Sequence, residues 1–316
     1  MSNTIKLKSL LLIPIILFTH ITPIAAEGFV DVEEGDKYFV SISYLKEKGI
    51  INGYDDNTFR ADEQINRAEA LKMITLATEV FIEENMQADA SFSEEDERPF
   101  EDTPLSAWYT PYLKAAKDKG IISGYPDGSY KPEQTVKLAE VLKILMEAAE
   151  ISQYPDITED TVFADTPTNE WFAKYVAFAK QETLLNISMA NEIFPTQELT
   201  RGYLAEILYR FLRRDATYEF GKATFYGKAS QGSGTASGET FDYNKFTAAH
   251  KSLPFGTMVK VTNLANGKSV SVKITDRGPY GHGRVIDLSS SAFEEIAWLG
   301  SGVIYVQLEI EQYPAE

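Results

Sequence analysis

Apolar residues recur at helical spacing along the first two thirds of the chain and alternate with polar ones along the last third. Tyr112, Leu113, Ala116 and Ile121 fall near one helical face, and Val141, Leu142, Leu145 and Ala149 fall near another. Between these runs lies Gly124-Tyr125-Pro126-Asp127-Gly128, in which glycine supplies positive φ, proline a fixed φ and aspartate a local cap. The pattern predicts helix, loop, helix. From about Tyr218 the period changes. Val259 and Val261 alternate with polar residues, Asn266-Gly267 predicts a hairpin turn, and Val270, Val272 and Ile274 alternate on the return strand. Further strands are expected at 285–288 and 303–310. Ser291 and Glu294 fit a capping box before Ile296, Ala297 and Leu299, and Gly300 would end that helix. A small, mostly β domain with one helix points to a closed barrel, because closure removes exposed strand edges.

The helical part repeats itself. Asp31 to Asp102, Gly53 to Gly124 and Glu69 to Glu140 are each separated by 71 positions. Asp102 to Asp165, Trp108 to Trp171 and Pro132 to Pro195 are each separated by 63. The units read as 28–85, 98–150 and 161–213, with acidic, turn-rich connectors between them. A two-helix unit cannot bury its apolar face alone, so the three should pack together.

At 316 residues the chain has room for several domains. Lys6 and Lys8, the short apolar run from Leu10 to Phe18, and Ala25-Ala26 read as a signal peptide over 1–26, with Ile24 making its cleavage motif imperfect. This implies a secreted protein with no membrane association after cleavage. The absence of cysteine excludes disulfides, thiolate metal sites and a cysteine nucleophile. Net charge is −17, and residues 27–216 hold 37 acidic against 19 basic side chains. Such a front half repels phosphate, which argues against nucleic acid and anionic lipid as partners. Residues 217–316 are nearly balanced, with 9 basic and 10 acidic side chains, and can approach a glycan without a charge barrier.

The repeats, through Phe29-Val30-Asp31, Gly53-Tyr54 and Asn66-Arg67-Ala68-Glu69 and their counterparts, resemble the S-layer homology domain over about residues 28–213. The resemblance implies an all-α three-repeat bundle whose grooves hold a secondary cell-wall polysaccharide, hence a cell-surface location. It also implies that the arginine of a Thr-Arg-Ala-Glu motif pairs with an acidic sugar, for which its planar fork suits. Arg67 and Arg201 match that position, and either could instead form a surface ion pair. Leu138 replaces the arginine in the second unit. Tyr203 replaces the glutamate in the third, which also has Asn186-Ile187 in place of Gly-Tyr. Asp31, Asp102, Asp165, Trp108 and Trp171 join the two arginines as polysaccharide-binding candidates, although a tryptophan in such a unit is first read as core.

In the last third, Gly221-Lys222-Ala223-Thr224-Phe225-Tyr226-Gly227, Thr247-Ala248-Ala249-His250, Asp276-Arg277-Gly278-Pro279 and Arg284-Val285-Ile286-Asp287-Leu288-Ser289 follow in order. They resemble the rare lipoprotein A-like, six-stranded double-psi β-barrel over 218–316, with Phe225 where that family usually has tryptophan. The resemblance implies lytic transglycosylase action on peptidoglycan glycan strands, without cofactor. One acid/base group can protonate the leaving oxygen and then accept a proton from the muramyl 6-hydroxyl. It should be protonated near neutral pH, which requires burial or a nearby negative charge. By the resemblance Asp276 or Asp287 is the acid and His250 orients the acid or the sugar, while Tyr226, Phe225 and Arg277 bind the strand. This requires both carboxyl groups and the imidazole to line one open cleft. Turn caps for Asp276 and Asp287, and a hydrogen-bonded rim position for His250, are the structural alternatives. His282 reads as a loop residue. No metal-ligand spacing is present. Two rival functions stand beside the enzyme: an expansin-like, non-catalytic glycan binder, and a structural S-layer component with the barrel as spacer.

Overall fold

A computed structural model describes residues 28–80, 98–188, 190–214, 218–281 and 283–314. The leader expected over 1–26 and His282 lie outside these residues. No helix among them is long and apolar enough to cross a membrane.

Each repeat contributes two helices: α1 (Phe39–Glu47) and α2 (Arg67–Ala77), α3 (Thr110–Asp118) and α4 (Leu138–Ala148), α5 (Ala173–Gln181) and α6 (Arg201–Leu212). They share one core, in which Leu45, Leu71, Leu113, Val141, Val176 and Leu204 are fully buried. Helices of nine to twelve residues are marginal alone, so their stability comes from this packing.

Extended backbone joins the repeats at the centre. The N–H of Ile65 donates to Leu199 O (2.9 Å), that of Leu199 to Val136 O (2.9 Å), and that of Val136 to Ile65 O (3.1 Å), which closes a ring. Their side chains are buried, so no water competes for these bonds. The same segments serve the first turns of the longer helices, whose leading N–H groups have no intrahelical partner. Arg67 and Ala68 N–H donate to Gln134 O and Pro132 O, Leu138 and Ala139 N–H to Gln197 O and Pro195 O, and Arg201 and Gly202 N–H to Glu63 O and Ala61 O. The front half is therefore helices hung on a ring of isolated β-bridges (Gln64–Thr200, Asn66–Thr135, Lys137–Glu198), a feature that helical periodicity did not anticipate.

The last third is a closed six-stranded barrel. Its strands are β1 (Tyr218–Tyr226), β2 (Thr247–His250), β3 (Met258–Asn263), β4 (Ser269–Asp276), β5 (Arg284–Ser289) and β6 (Ile304–Gln312), in the order β1-β5-β2-β4-β3-β6. The pairs β1/β5 and β2/β4 are parallel and the others antiparallel. Helix α7 (Ser290–Ile296) packs Phe293 and Ile296 against the barrel core. Its N-cap is Ser289, whose hydroxyl accepts the N–H of Ala292, so the expected cap at Ser291 is corrected by two residues. The barrel rests on the helices through Tyr209, Phe220 and Leu264, with Val40, Tyr44, Tyr218 and Tyr305 around them. Gly35 N–H and Val40 N–H also donate to Ala265 O and Leu264 O.

Gly202 stands where the first two repeats have alanine (Ala68, Ala139). A Cβ there would lie 2.3 Å from the Tyr38 ring and 2.9 Å from Ala61 O. Gly202→Ala is expected to lower stability by about 1–3 kcal/mol, as overpacking does. Urea unfolding of the full chain measures it, and Ala68→Gly serves as the opposite, cavity-forming control.

Candidate functional site

Two equivalent grooves open between the repeats, each built from all three. In the first, the Gly53-Tyr54 loop and α2 supply Tyr54, Glu69 and Lys72, the second repeat supplies Trp108 and the third supplies Arg201, around about 360 Å³. In the second, the Gly124-Tyr125 loop and α4 supply Tyr125, Glu140 and Lys143, while Trp171 and Arg67 come from the other repeats, around about 170 Å³. Arg201 Nε donates to Phe59 O (2.9 Å), Nη1 lies 3.2 Å from Glu69 Oε1, and the guanidinium packs over Tyr54. Arg67 repeats this, with Nε on Tyr130 O (2.9 Å) and Nη1 on Glu140 Oε1 (2.8 Å), over Tyr130 and Tyr125. Neither arginine is a surface ion pair, since both are buried.

Trp108 and Trp171 are 47% and 54% exposed, which corrects the core reading. Each is the outer wall of a groove, and Lys72 and Lys143 lie 5.5 and 6.0 Å from the respective ring centres. Burial, helped by the Arg201 charge, lowers the Lys72 ammonium below the usual lysine range. Burial raises the Tyr54 phenol to about 12, and its hydroxyl donates to Glu69 Oε1 (2.9 Å).

Asp31, Asp102 and Asp165 each hold a turn. Asp31 accepts the N–H groups of Phe59 and Arg60 (both 2.7 Å), Asp102 those of Tyr130 and Lys131, and Asp165 those of Ile193 and Phe194. Arg60, Lys131 and Phe194 all have φ near +60°. The carboxylates hold a left-handed turn that non-glycine residues resist. In the first two repeats that turn aims the Phe59 or Tyr130 carbonyl at the groove arginine.

On the barrel, Ala249 in β2 pairs with Asp276 on one side and Asp287 on the other. Inward-facing Ala248, Ile274 and Leu288 fix the alternation, and a register shift after Ile274 turns Asp276 outward. Both acids are half-buried on the outer face, two strand spacings or on the order of 10 Å apart at Cα. Ala249 between them keeps the floor low. Thr224 donates its hydroxyl to Asp287 Oδ1. Burial raises the Asp287 carboxyl above the usual aspartate range, against the lowering influence of Arg284. Asp276 Oδ1 accepts Ala236 N–H (2.9 Å) and Arg277 N–H (2.8 Å). Burial raises the Tyr226 phenol to about 12, and the charges of both acids push it the same way. The Tyr226, Thr247 and Thr275 hydroxyls are buried there without a hydrogen bond of good geometry. The loop over Asp276 adds Glu239, paired with Lys273 at 2.7 Å, and half-buried Asp242.

Three expected members do not join this row. His250 follows Ala249 and so points inward, 3% exposed. Its Nδ1 accepts Leu253 N–H (3.0 Å) and Ser252 N–H (3.3 Å), so Nε2 is the donor to Glu219 Oε2 (2.8 Å). Arg277 donates to Leu253 O (2.9 Å) and His250 O (3.3 Å) and covers the Phe255 ring, so it braces the turn after β2. Phe225 faces away from Thr224 and Tyr226 and packs 4.8 Å from Phe293. The common cleft of two carboxyls and an imidazole is thus corrected to a row of two carboxyls. Thr224, Ala249, Lys72 and Lys143 were not singled out from sequence. The 71-position offset from Lys72 to Lys143 was the signal available. Among the described residues no cluster of His, Asp and Glu could hold a metal.

Residues 28–71 and 99–142 match the S-layer homology domain, and residues 218–308 match the family described as lytic transglycolase. The chain carries S-layer homology repeats followed by a lytic transglycolase-family domain. Over 92 residues it is 56% identical to the probable endolytic peptidoglycan transglycosylase RlpA of Synechocystis sp., covering 29% of each chain. It is 51% identical over 92 residues to the endolytic peptidoglycan transglycosylase RlpA of Pasteurella multocida, covering 29% of this chain and 31% of the relative. The chain thus spans under a third of the length of these relatives. Among solved structures, an apo expansin of Clavibacter michiganensis matches at 23% identity and TM-score 0.26, covering 31% of this chain and 52% of that one.

The raised Asp287 carboxyl holds its proton to higher pH folded than unfolded, so the proton it releases on ionising costs the fold stability as pH rises through its titration. Asp287→Asn keeps an acceptor for Thr224 and cannot ionise. The melting temperature of this variant should therefore rise relative to the parent between pH 3 and pH 7, and a constant difference would show that Asp287 is unshifted.

Proposed function

We propose that the chain is a secreted lytic transglycosylase of peptidoglycan, held at the cell wall by a trefoil of three S-layer homology repeats, 28–85, 98–150 and 161–213. The domain over 218–316 is read as a double-psi barrel, a reading supported by its two parallel strand pairs. The observation that carries the enzymatic reading is the outer row Asp276–Ala249–Asp287, with at one end a half-buried acid whose carboxyl is held above the usual aspartate range.

Asp287 donates its proton to the glycosidic oxygen between N-acetylmuramic acid and N-acetylglucosamine. The C1–O bond breaks as the muramyl 6-hydroxyl oxygen bonds to C1, and that hydroxyl returns its proton to Asp287. The product is a 1,6-anhydro end, and no water is consumed. Thr224 orients the Asp287 carboxyl, and Asp276 faces the positive charge that develops at C1. Tyr226 meets the sugar through its partly exposed ring, while its hydroxyl and those of Thr247 and Thr275 are buried beneath the row and support it. His250 and Arg277 act through the backbone, as positioning residues for the turn beside the row. At the other end, Arg67 with Lys143 and Trp171, and Arg201 with Lys72 and Trp108, hold an acidic wall polysaccharide by charge and ring stacking.

Sacculi incubated with the full chain should release anhydro-muropeptides detectable by mass spectrometry. Asp287→Asn should slow this about a hundred- to ten-thousand-fold, the usual worth of a general acid. Loss in Glu239→Gln or Asp242→Asn with Asp287→Asn active would move the proton to the loop acids. Saturable binding without product in the parent would overturn the enzyme.

Arg67→Ala with Arg201→Ala should release the chain from purified secondary wall polysaccharide in a pull-down. Each lost charged hydrogen bond is worth about 1.5–3 kcal/mol, or at least tenfold in affinity. Unchanged retention would refute the assigned grooves.

A further inference from the structure

The repeat symmetry requires a third groove, and its residues are of the wrong kind for an acidic sugar. Applying the offsets of 71 and 63 places Lys37 opposite Trp108 and Trp171, Leu138 opposite Arg67 and Arg201, and Tyr203 opposite Glu69 and Glu140. Glu206 stands opposite Lys72 and Lys143. The Gly-Tyr position of the third unit, expected at Asn186-Ile187, is corrected by one residue to Ile187-Ser188, because Ser188 N–H donates to Glu192 O as Tyr54 and Tyr125 N–H donate to Thr58 O and Ser129 O. The groove exists, at about 290 Å³, lined by Lys37, Leu138, Ile187, Ser188 and Tyr203. Its arginine is gone and its helix lysine has become a glutamate. Glu206 is 3% exposed and paired with buried Arg210, while Asn186 donates to its other oxygen (2.9 Å). The position that gives the other grooves an ammonium is thus withdrawn into a buried ion pair, and the carboxylates that line the third groove are Glu192 and Glu198, beside Lys37.

One wall of this groove comes from the barrel. Tyr305 of β6 lines it directly. Lys222 of β1 donates from Nζ to Ile187 O (2.6 Å), the residue that replaces the groove glycine. The Arg210 guanidinium lies 5.6 Å from the Tyr305 ring and 5.8 Å from Phe220. The Tyr209 hydroxyl, one residue along α6, donates to Gln307 Oε1. Two of these replacements face the barrel with their own side chains: Ile187 lies against Gly283, and Glu206 holds Arg210 beside the Tyr305 and Phe220 rings.

We propose that the third groove is a seat for the barrel, which locks the catalytic domain in one orientation relative to the two polysaccharide grooves. The apolar contacts of Tyr209, Phe220 and Leu264 continue this seat towards α1, where the backbone of Gly35 and Val40 also binds the 264–265 turn. The chain then acts as one body: where the wall polymer holds the repeats, the row on the barrel faces a set direction instead of sampling a tether's volume.

The chain has no cysteine, so spin labels can be placed at will. With labels at Lys119→Cys and Lys251→Cys, both exposed, double electron–electron resonance on the full chain should give one narrow distance peak. Leu264→Glu, which puts a carboxylate among the aromatic rings, should abolish that peak in favour of a broad distribution. Lys222→Glu should do the same by replacing the bond to Ile187 O with repulsion. It lies half-buried on the barrel surface, so circular dichroism should find it folded even if Leu264→Glu is not. A broad distribution in the labelled parent, or a peak unchanged in folded Lys222→Glu, would overturn the seat. Neither outcome bears on transglycosylase activity or on the two arginine grooves.

Discussion

The closed circuit of backbone hydrogen bonds through Ile65, Leu199 and Val136 is the constraint on which the helical half depends. Each repeat donates to one neighbour and accepts from the other, so no repeat satisfies its own extended segment. An unpaired buried amide costs about 1–3 kcal/mol, and the ring leaves no repeat able to avoid that cost alone. The same segments receive the leading N–H groups of α2, α4 and α6, which is why these helices begin where they do.

This exchange also explains why the grooves form at junctions. The arginine at the start of one helix lies against the turn of the next repeat, and its Nε binds a carbonyl there that an aspartate has aimed. A ligand in either groove therefore touches three repeats at once. Two grooves keep cationic and aromatic walls. The third has lost the arginine and the tryptophan, keeps Lys37 and Tyr203, and takes Tyr305 of the barrel into its lining.

The barrel solves a different problem. An acid that must keep its proton needs burial, and an acid that must meet a polysaccharide needs an open surface. Asp287 lies half-buried on the outer face of a central strand pair, held by Thr224 and separated from Asp276 only by a methyl side chain, and the proposed acid role rests on that position. The bulge before Asp276 lets two acids from strands of opposite direction share that face.

The repeats, the change of period near Tyr218 and the Asn266-Gly267 hairpin were all legible in the sequence, because periodicity and turn chemistry act over neighbouring residues. The roles of His250, Arg277 and Phe225 were not, since a motif does not reveal which face of a strand a residue occupies, and one register shift decides it. The repeat aspartates likewise carried a signal of recurrence without its cause, a left-handed turn 28 residues further along the chain. Local pattern thus determined which elements form and how often. Tertiary structure alone decided which repeat completes which groove and that the third groove faces the barrel, because those contacts join residues separated by up to 142 positions and depend on how closed rings and barrels fit together.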